Sequence, residues 1–326
     1  MAGEQMKAAR LTSPQTFDFV DVEQPEPEAG EVLVKLEALS VCGSDIHGTY
    51  HGMLPEEAYP LEPGRPCHEC AGVIVESRAE GLKAGQRVIV LPKQGAGLQE
   101  YVTQTPDRVM VIPDWGPLDE WVMCQHSGTV LYSAKHWGNP AGKRIAVLGQ
   151  GGIGLSFTML AAKQGAEQVV GVDLLDYRLT RARELGATDS INPDKDNLFE
   201  AVEELTKGEG LDYVVDATGD PDGIETCINM VNKYGTVMVF SLTGGRPATF
   251  NQNTWIRKHV QLIPTQIATG PAPTKEIREM ISMKERGWMD PGVLKSHNMK
   301  FDDVQRAYDM YANKEENVIK VVMTLD

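Results

Sequence analysis

The sequence predicts an α/β protein in two parts: a compact, irregular β domain and a doubly wound parallel sheet. Three observations carry this reading. From Met6 to about Tyr101, short β-type runs are split by Pro and Gly, and helical periodicity is scarce. From Lys143 onward, apolar runs alternate with helical stretches, the pattern of strands joined by crossover helices. Between the first of those runs and the helical stretch after it lies a turn rich in glycine.

In the first part the β runs are Glu31–Leu39, Ala71–Glu76 and Arg87–Leu91. In the second, Arg144–Leu148, Gln168–Asp173, Asp212–Asp216 and Thr236–Phe240 read as strands, and Ile153–Gln164, Tyr177–Leu185, Leu198–Leu205 and Gly223–Asn232 as helices. Near the end, an amphipathic helix around Val304–Tyr311 precedes a β run, Val318–Thr324, placed to return to the first domain. The expected division is therefore residues 1–140 with 286–326, around 141–285.

Composition narrows the function. Lys and Arg number 31 against 46 Asp and Glu, a net charge of −15 that repels nucleic-acid phosphates and anionic lipid. No stretch approaches the roughly 18–20 apolar residues of a membrane span, and Met1–Arg10 holds no apolar run, so a cytoplasmic protein is expected. The five cysteines, Cys42, Cys67, Cys70, Cys124 and Cys227, are too few and too odd for a disulfide framework; they suggest thiols or metal ligands, with Cys227 a buried thiol.

The glycine turn is Gly149-Gln150-Gly151-Gly152-Ile153-Gly154. Such a run alone is weak evidence, but here it follows a strand, opens a helix, and precedes Asp173, which ends the next strand 19 residues after Gly154. This is the dinucleotide fingerprint of a Rossmann unit, with a pyrophosphate on the helix N-terminal amides. Asp173 would accept hydrogen bonds from the adenosine ribose and repel a 2′-phosphate, which favours NAD over NADP. Arg178, five residues on, is a second candidate for the ribose, although a surface arginine is nearly as good a reading.

Two further clusters carry metal chemistry. Cys42, Ser44, Asp45 and His47 fall within six residues, and Cys67-His68-Glu69-Cys70 follows. A Cys and a His from separate loops suit zinc with an open position better than a closed structural site. Ordinary loop polar groups are the lesser reading of Ser44 and His47, and a zinc held by Cys67 and Cys70 lacks a second cysteine pair.

With the β domain ahead of the Rossmann unit, these motifs resemble the medium-chain dehydrogenase/reductase superfamily, in its zinc alcohol and polyol dehydrogenase branch. The resemblance runs nearly end to end and implies a GroES-like catalytic domain beside the dinucleotide-binding domain. It implies that Cys42 and His68 ligate a catalytic zinc and that Glu69 sits behind the metal or exchanges onto it. Ser44 would receive the substrate proton and His47 pass it on, while Asp45 would hold the second ring nitrogen of His68. Cys67 and Cys70 would line the site as small buried residues.

Two departures from the family pattern matter. The four-cysteine lobe of many zinc members is missing from Leu91–Tyr101, so no structural zinc is expected. The third ligand, normally Cys, Asp or Glu, falls 24 residues before Gly149, at Gln125. Cys124 and His126 beside it are better ligand types, but one residue turns a helical side chain by about 100°.

The function expected is hydride transfer between a small alcohol or polyol, or its carbonyl product, and NAD. The alternatives are a zinc-free reductase of the same superfamily and a non-catalytic nicotinamide-binding protein. Lys93 and Arg65 would suit an anionic substrate tail, Tyr50 and His51 a polyhydroxylated one. The late β run His259–Ile263 resembles the family's edge strand that pairs across a twofold axis, which implies a homodimer or homotetramer.

Overall fold

The computed structural model describes residues 4–265 and 274–325. Contacts divide the chain into two units, Met1–His126 with Ile277–Asp326, and Ser127–Glu276. Both divisions fall inside helices, Met123–Ala134 and Thr274–Glu285, and not in the loops near residues 140 and 286. A change of sequence texture marks where the parallel sheet begins, and a helix can run across it.

The first unit is built on a sheet whose hydrogen-bonded order is His297–Lys300, Val321–Thr324, Val32–Ser40, Glu69–Ser77, Arg87–Val90 and Val109–Val111, with Tyr101–Gln104 also paired to Val32–Ser40. A separate hairpin joins Gln5–Ser13 to Thr16–Glu23. The central strand Val32–Ser40 has neighbours on either edge, and all of its residues but Lys35 and Glu37 are buried. Leu36, Leu39, Ile74, Val88 and Val90 join Tyr50 and Tyr308 in one apolar core, each aliphatic side chain contributing about 1.5–3 kcal/mol by its removal from water.

The late β run does return to this unit. Val321–Thr324 pairs antiparallel with the central strand, Val322 opposite Ser40 and Met323 opposite Leu39, and the Val41 N–H donates to Val321 O at 3.0 Å. Lys320 is thereby set against the backbone just ahead of Cys42.

The second unit holds a six-stranded sheet in the order Asp189–Ile191, Gln168–Val172, Arg144–Leu148, Leu211–Asp216, Val231–Val239, Gln261–Pro264, with every pairing parallel. In chain order this is the 3-2-1-4-5-6 arrangement of a doubly wound dinucleotide fold, whose order reverses between Arg144–Leu148 and Leu211–Asp216. With Gln252–Lys258 leading to the sixth strand in chain order, the helices Gly152–Lys163, Asp176–Glu184, Leu198–Leu205 and Gly223–Met230 are the crossovers among the first five. The last ends two residues earlier than its periodicity suggests: Val231 is already extended, and Asn232 Nδ2 donates to Glu209 O at 2.6 Å, anchoring the start of the strand. Gln261–Pro264 is the edge strand of this sheet. Among the described residues no helix is long and apolar enough to cross a membrane.

Candidate functional site

In the first unit the central strand delivers Cys42 and its neighbour delivers the second cluster, because Ser40 lies opposite Glu69 and Leu39 opposite Cys70. Cys42 caps a short helix, Gly43–Asp45, with its backbone extended, and the chain then winds through Ile46–Tyr50. This turn exposes Ser44 and His47 while Asp45 goes under. Ser44 Oγ donates to Cys42 Sγ at 3.3 Å. The ligand atoms of Cys42, His68 and Glu69 all lie within 4.8 Å of one another, and among the described residues they are the one His, Cys, Asp or Glu group gathered this closely.

The electrostatics of this group suit a cation. His68 Nδ1 lies 3.0 Å from Asp45 Oδ1, which leaves Nε2 as the outward nitrogen. Burial opposes protonation of His68, but Asp45 and Cys42 outweigh it and raise its pKa well above the ordinary histidine value. Surroundings that draw a proton to this ring draw a metal ion by the same field. Burial pushes the Glu69 carboxyl up, and the Lys320 ammonium, with His126 and His68, more than reverses it, bringing the pKa down to about 2. Glu69 is thus a buried carboxylate, with Oε2 taking a hydrogen bond from Lys320 Nζ at 2.6 Å and Oε1 buried without a partner.

Gln125 is 5% exposed, and its Oε1 is likewise buried without a partner. Cys124 looks elsewhere: burial pushes its thiol up to about 12, and the charges that act on it are those of Lys284 and Asp290, not the zinc-type cluster. Cys67 and Cys70 are fully buried in the apolar core with their sulfurs 3.9 Å apart. A metal fits the Cys42, His68 and Glu69 set: one soft donor, one imidazole and a buried carboxylate oxygen with nothing else to bind.

Of the side chains weighed for a substrate, two are engaged elsewhere. Tyr50 is fully buried and its hydroxyl donates to Asp309 at 2.6 Å, and Lys93 pairs with Glu31 at 2.5 Å. Tyr50 is a core residue despite its polar tip because Asp309 and Gln305 satisfy that tip.

In the second unit the glycine turn is shaped by close backbone contacts. Gly149 has φ +88°, and a side chain there would meet Ala217 O at 2.9 Å. Gly154 packs its Cα against the carbonyl of Gly149. Gly151 is the N-cap of the helix, so the amides of Gly152, Ile153 and Gly154 have no acceptor within the helix and face outward as an anion site. Asp173 is anchored here. Its Oδ2 accepts from Gln150 N–H at 2.6 Å and its Oδ1 from Leu175 N–H at 2.9 Å. Arg178 Nη1 stands 3.6 Å from Asp173 Oδ2 and would be 3.8 Å from a side-chain carbon at Gly151. Gly151, Asp173 and Arg178 therefore converge on one spot.

Both parts of the chain match families of known proteins. Residues 28–134 match the family model described as alcohol dehydrogenase GroES-like domain, and residues 152–285 the one described as zinc-binding dehydrogenase. The chain belongs to the medium-chain dehydrogenase/reductase superfamily. The dehydrogenase is 25% identical to an uncharacterized zinc-type alcohol dehydrogenase-like protein of Haemophilus influenzae, over 98% of each chain. It is 27% identical to an alcohol dehydrogenase of Cupriavidus necator, again over 98% of each. A crystal structure of an Escherichia coli oxidoreductase of unknown specificity superposes with a TM-score of 0.88 at 26% identity, over 99% of this chain and 100% of that one.

Sequence reasoning missed several residues of this dehydrogenase's sites. Lys320 was legible as a lone charge inside the apolar run Val318–Met323, a signal that a buried partner exists. Ala217, whose carbonyl bounds Gly149, gave no local signal, since it acts through a neighbour distant in the chain, and His126, named beside Gln125, was not tied to Glu69, on which it acts.

Proposed function

We propose that the chain is a zinc-dependent, NAD-linked dehydrogenase that interconverts a small alcohol or polyol and its carbonyl product. The observation that carries this reading is the convergence of the Cys42, His68 and Glu69 ligand atoms within 4.8 Å, with the Ser44 hydroxyl beside Cys42. Cys42, His68 and an oxygen from Gln125 or Glu69 would hold the metal, which when bound acts as a Lewis acid that lowers the pKa of a substrate hydroxyl.

The chain's own groups do the rest. Asp45 fixes the His68 ring through Nδ1, so that Nε2 is the donor. Ser44, exposed and two residues from Cys42, accepts the substrate proton, and exposed His47 takes it on to solvent. Gly149, Gly151, Gly152, Ile153 and Gly154 bind the pyrophosphate, and Asp173 and Arg178 bind the ribose. The Asp173 carboxylate favours NAD, because a 2′-phosphate would bring a second negative charge against it.

The net charge of −15 argues for a small-molecule partner and against nucleic acid or a membrane surface. Strand Gln261–Pro264, at the edge of its sheet with half-exposed side chains, supports association through the second unit as a homodimer or homotetramer.

The test is NAD reduction by the zinc-loaded protein over a panel of polyols, secondary alcohols and hydroxy acids, with activated alkenes and NADH as the opposing panel. Alcohol oxidation that disappears with the metal supports the reading. Alkene reduction that persists without metal sinks it.

A further inference from the structure

Lys320 is 2% exposed and Glu69 is not exposed at all, yet both carry charge. Lys320 Nζ donates to Glu69 Oε2 at 2.6 Å and to Val41 O at 2.7 Å, so it is tied both to the carboxylate and to the backbone of the residue before Cys42. The other oxygen, Glu69 Oε1, is buried with no partner, and the carboxylate lies within 4.8 Å of the Cys42 and His68 ligand atoms. One carboxylate thus stands between a lysine and the group of side chains that would hold a metal.

We propose that Lys320 is a positioning residue that holds Glu69 back from the metal, and so keeps the metal's outer position free for substrate; the proposal rests on the zinc reading above. A thiolate from Cys42 with neutral His68 and Gln125 leaves a zinc site at +1. Glu69 bound outright would neutralise it and fill the open position, which weakens the Lewis acid and blocks the alcohol. Lys320 prevents this by competing for the same charge at hydrogen-bond distance. The return strand Val321–Thr324 supplies the geometry, since its pairing with Val32–Ser40 fixes Lys320 beside Val41.

The prediction is read on the full chain loaded with Co2+, by competition with a chelator and by the visible d–d spectrum. Lys320→Met should bind Co2+ at least about tenfold more tightly, because a buried positive charge near the ion is gone and Glu69 is released to it. Its d–d bands should weaken and shift, as a rise in coordination number requires. Lys320→Arg should keep the parent spectrum. In a Glu69→Gln background, Lys320→Met should leave the spectrum unchanged, which a merely structural role for Lys320 does not require.

An unshifted spectrum in Lys320→Met overturns the proposal, as does the same shift appearing without Glu69. Should Lys320→Met fail to fold for want of a donor to Val41 O, Lys320→Gln carries the same test, since it retains an N–H and loses the charge. A parent protein that holds no Co2+ refutes the zinc reading itself, a separate outcome from either of these.

Discussion

The glycine turn offers the sharpest prediction, because two of its glycines should fail in different ways. A methyl at Gly154 would lie 1.7 Å from Gly149 O and 2.8 Å from Gly149 C, where ordinary contact begins at 3.4 Å. Both atoms are backbone, so no rotamer change relieves the overlap and the turn itself must open. Overpacking costs about 1–3 kcal/mol, and Gly154→Ala belongs at the upper end, about 3 kcal/mol. For a unit of this size that is a fall in Tm of roughly 6–12 °C.

A methyl at Gly151 meets nothing nearer than Arg178 Nη1 at 3.8 Å, and its φ of −72° and ψ of −171° are open to alanine. Gly151→Ala should fold within about 0.5 kcal/mol of the parent. It should nonetheless bind NADH at least about tenfold more weakly, a loss of about 1.4 kcal/mol, because the methyl would stand where the pyrophosphate is proposed to approach the backbone. Calorimetry and NADH fluorescence titration read the two effects. An unchanged Tm in Gly154→Ala, or an unchanged NADH affinity in Gly151→Ala, refutes the reasoning.

The remaining predictions concern single side chains. Gln125→Ala should weaken zinc retention and Gln125→Glu strengthen it, while Cys124→Ala leaves zinc in place; zinc lost from Cys124→Ala would mean that the third ligand lies one residue earlier. Asp173→Gly with Leu174→Arg should turn preference toward NADP and, because Asp173 also accepts the Gln150 and Leu175 N–H groups, cost about 1–3 kcal/mol of stability. Unchanged NAD preference would place Asp173 away from the ribose. The Cys124 thiol, held up to about 12 by burial, keeps its proton in the folded chain where the unfolded chain, near 9.0, has lost it. Stability should therefore be unaffected below that pH and fall above it by at most about 1.4 kcal/mol per unit. Denaturant titrations of parent and Cys124→Ala between pH 8 and about 11 should show this extra slope in the parent alone, and parallel curves would refute it.

Much of the fold was legible because its signals are local. Arg144–Leu148 and Leu198–Leu205 have in the structure the bounds their periodicity predicts, since a run of four apolar residues after Arg144 and a strong amphipathic helix leave few alternatives. The hairpin Gln5–Ser13 with Thr16–Glu23 was not legible. Thr16–Glu23 carries the β-formers Phe17, Phe19, Val20 and Val22, but it is half-exposed and acidic, and its partner strand shows only in the pairing.

The site divides in the same way. Cys42, His68 and Glu69 could be nominated from residue type and spacing, but that Glu69 shares its charge with Lys320, 251 positions away, follows only from the pairing of Val321–Thr324 and Glu69–Ser77 with the same strand, Val32–Ser40. Lys93 and Tyr50 could be weighed for a substrate but not set aside, because a sequence shows a polar group without showing its partner, and here Glu31 and Asp309 are those partners.

The central claim, a catalytic zinc held by Cys42 and His68, is tested most directly by elemental analysis of the purified chain beside its variants Cys42→Ser and His68→Ala. The account predicts about one zinc per chain in the parent and none in either variant, with alcohol oxidation lost and NADH affinity unchanged, because the dinucleotide turn belongs to the other unit. A parent that oxidises alcohols with no metal bound, or variants that keep both zinc and turnover, would contradict it.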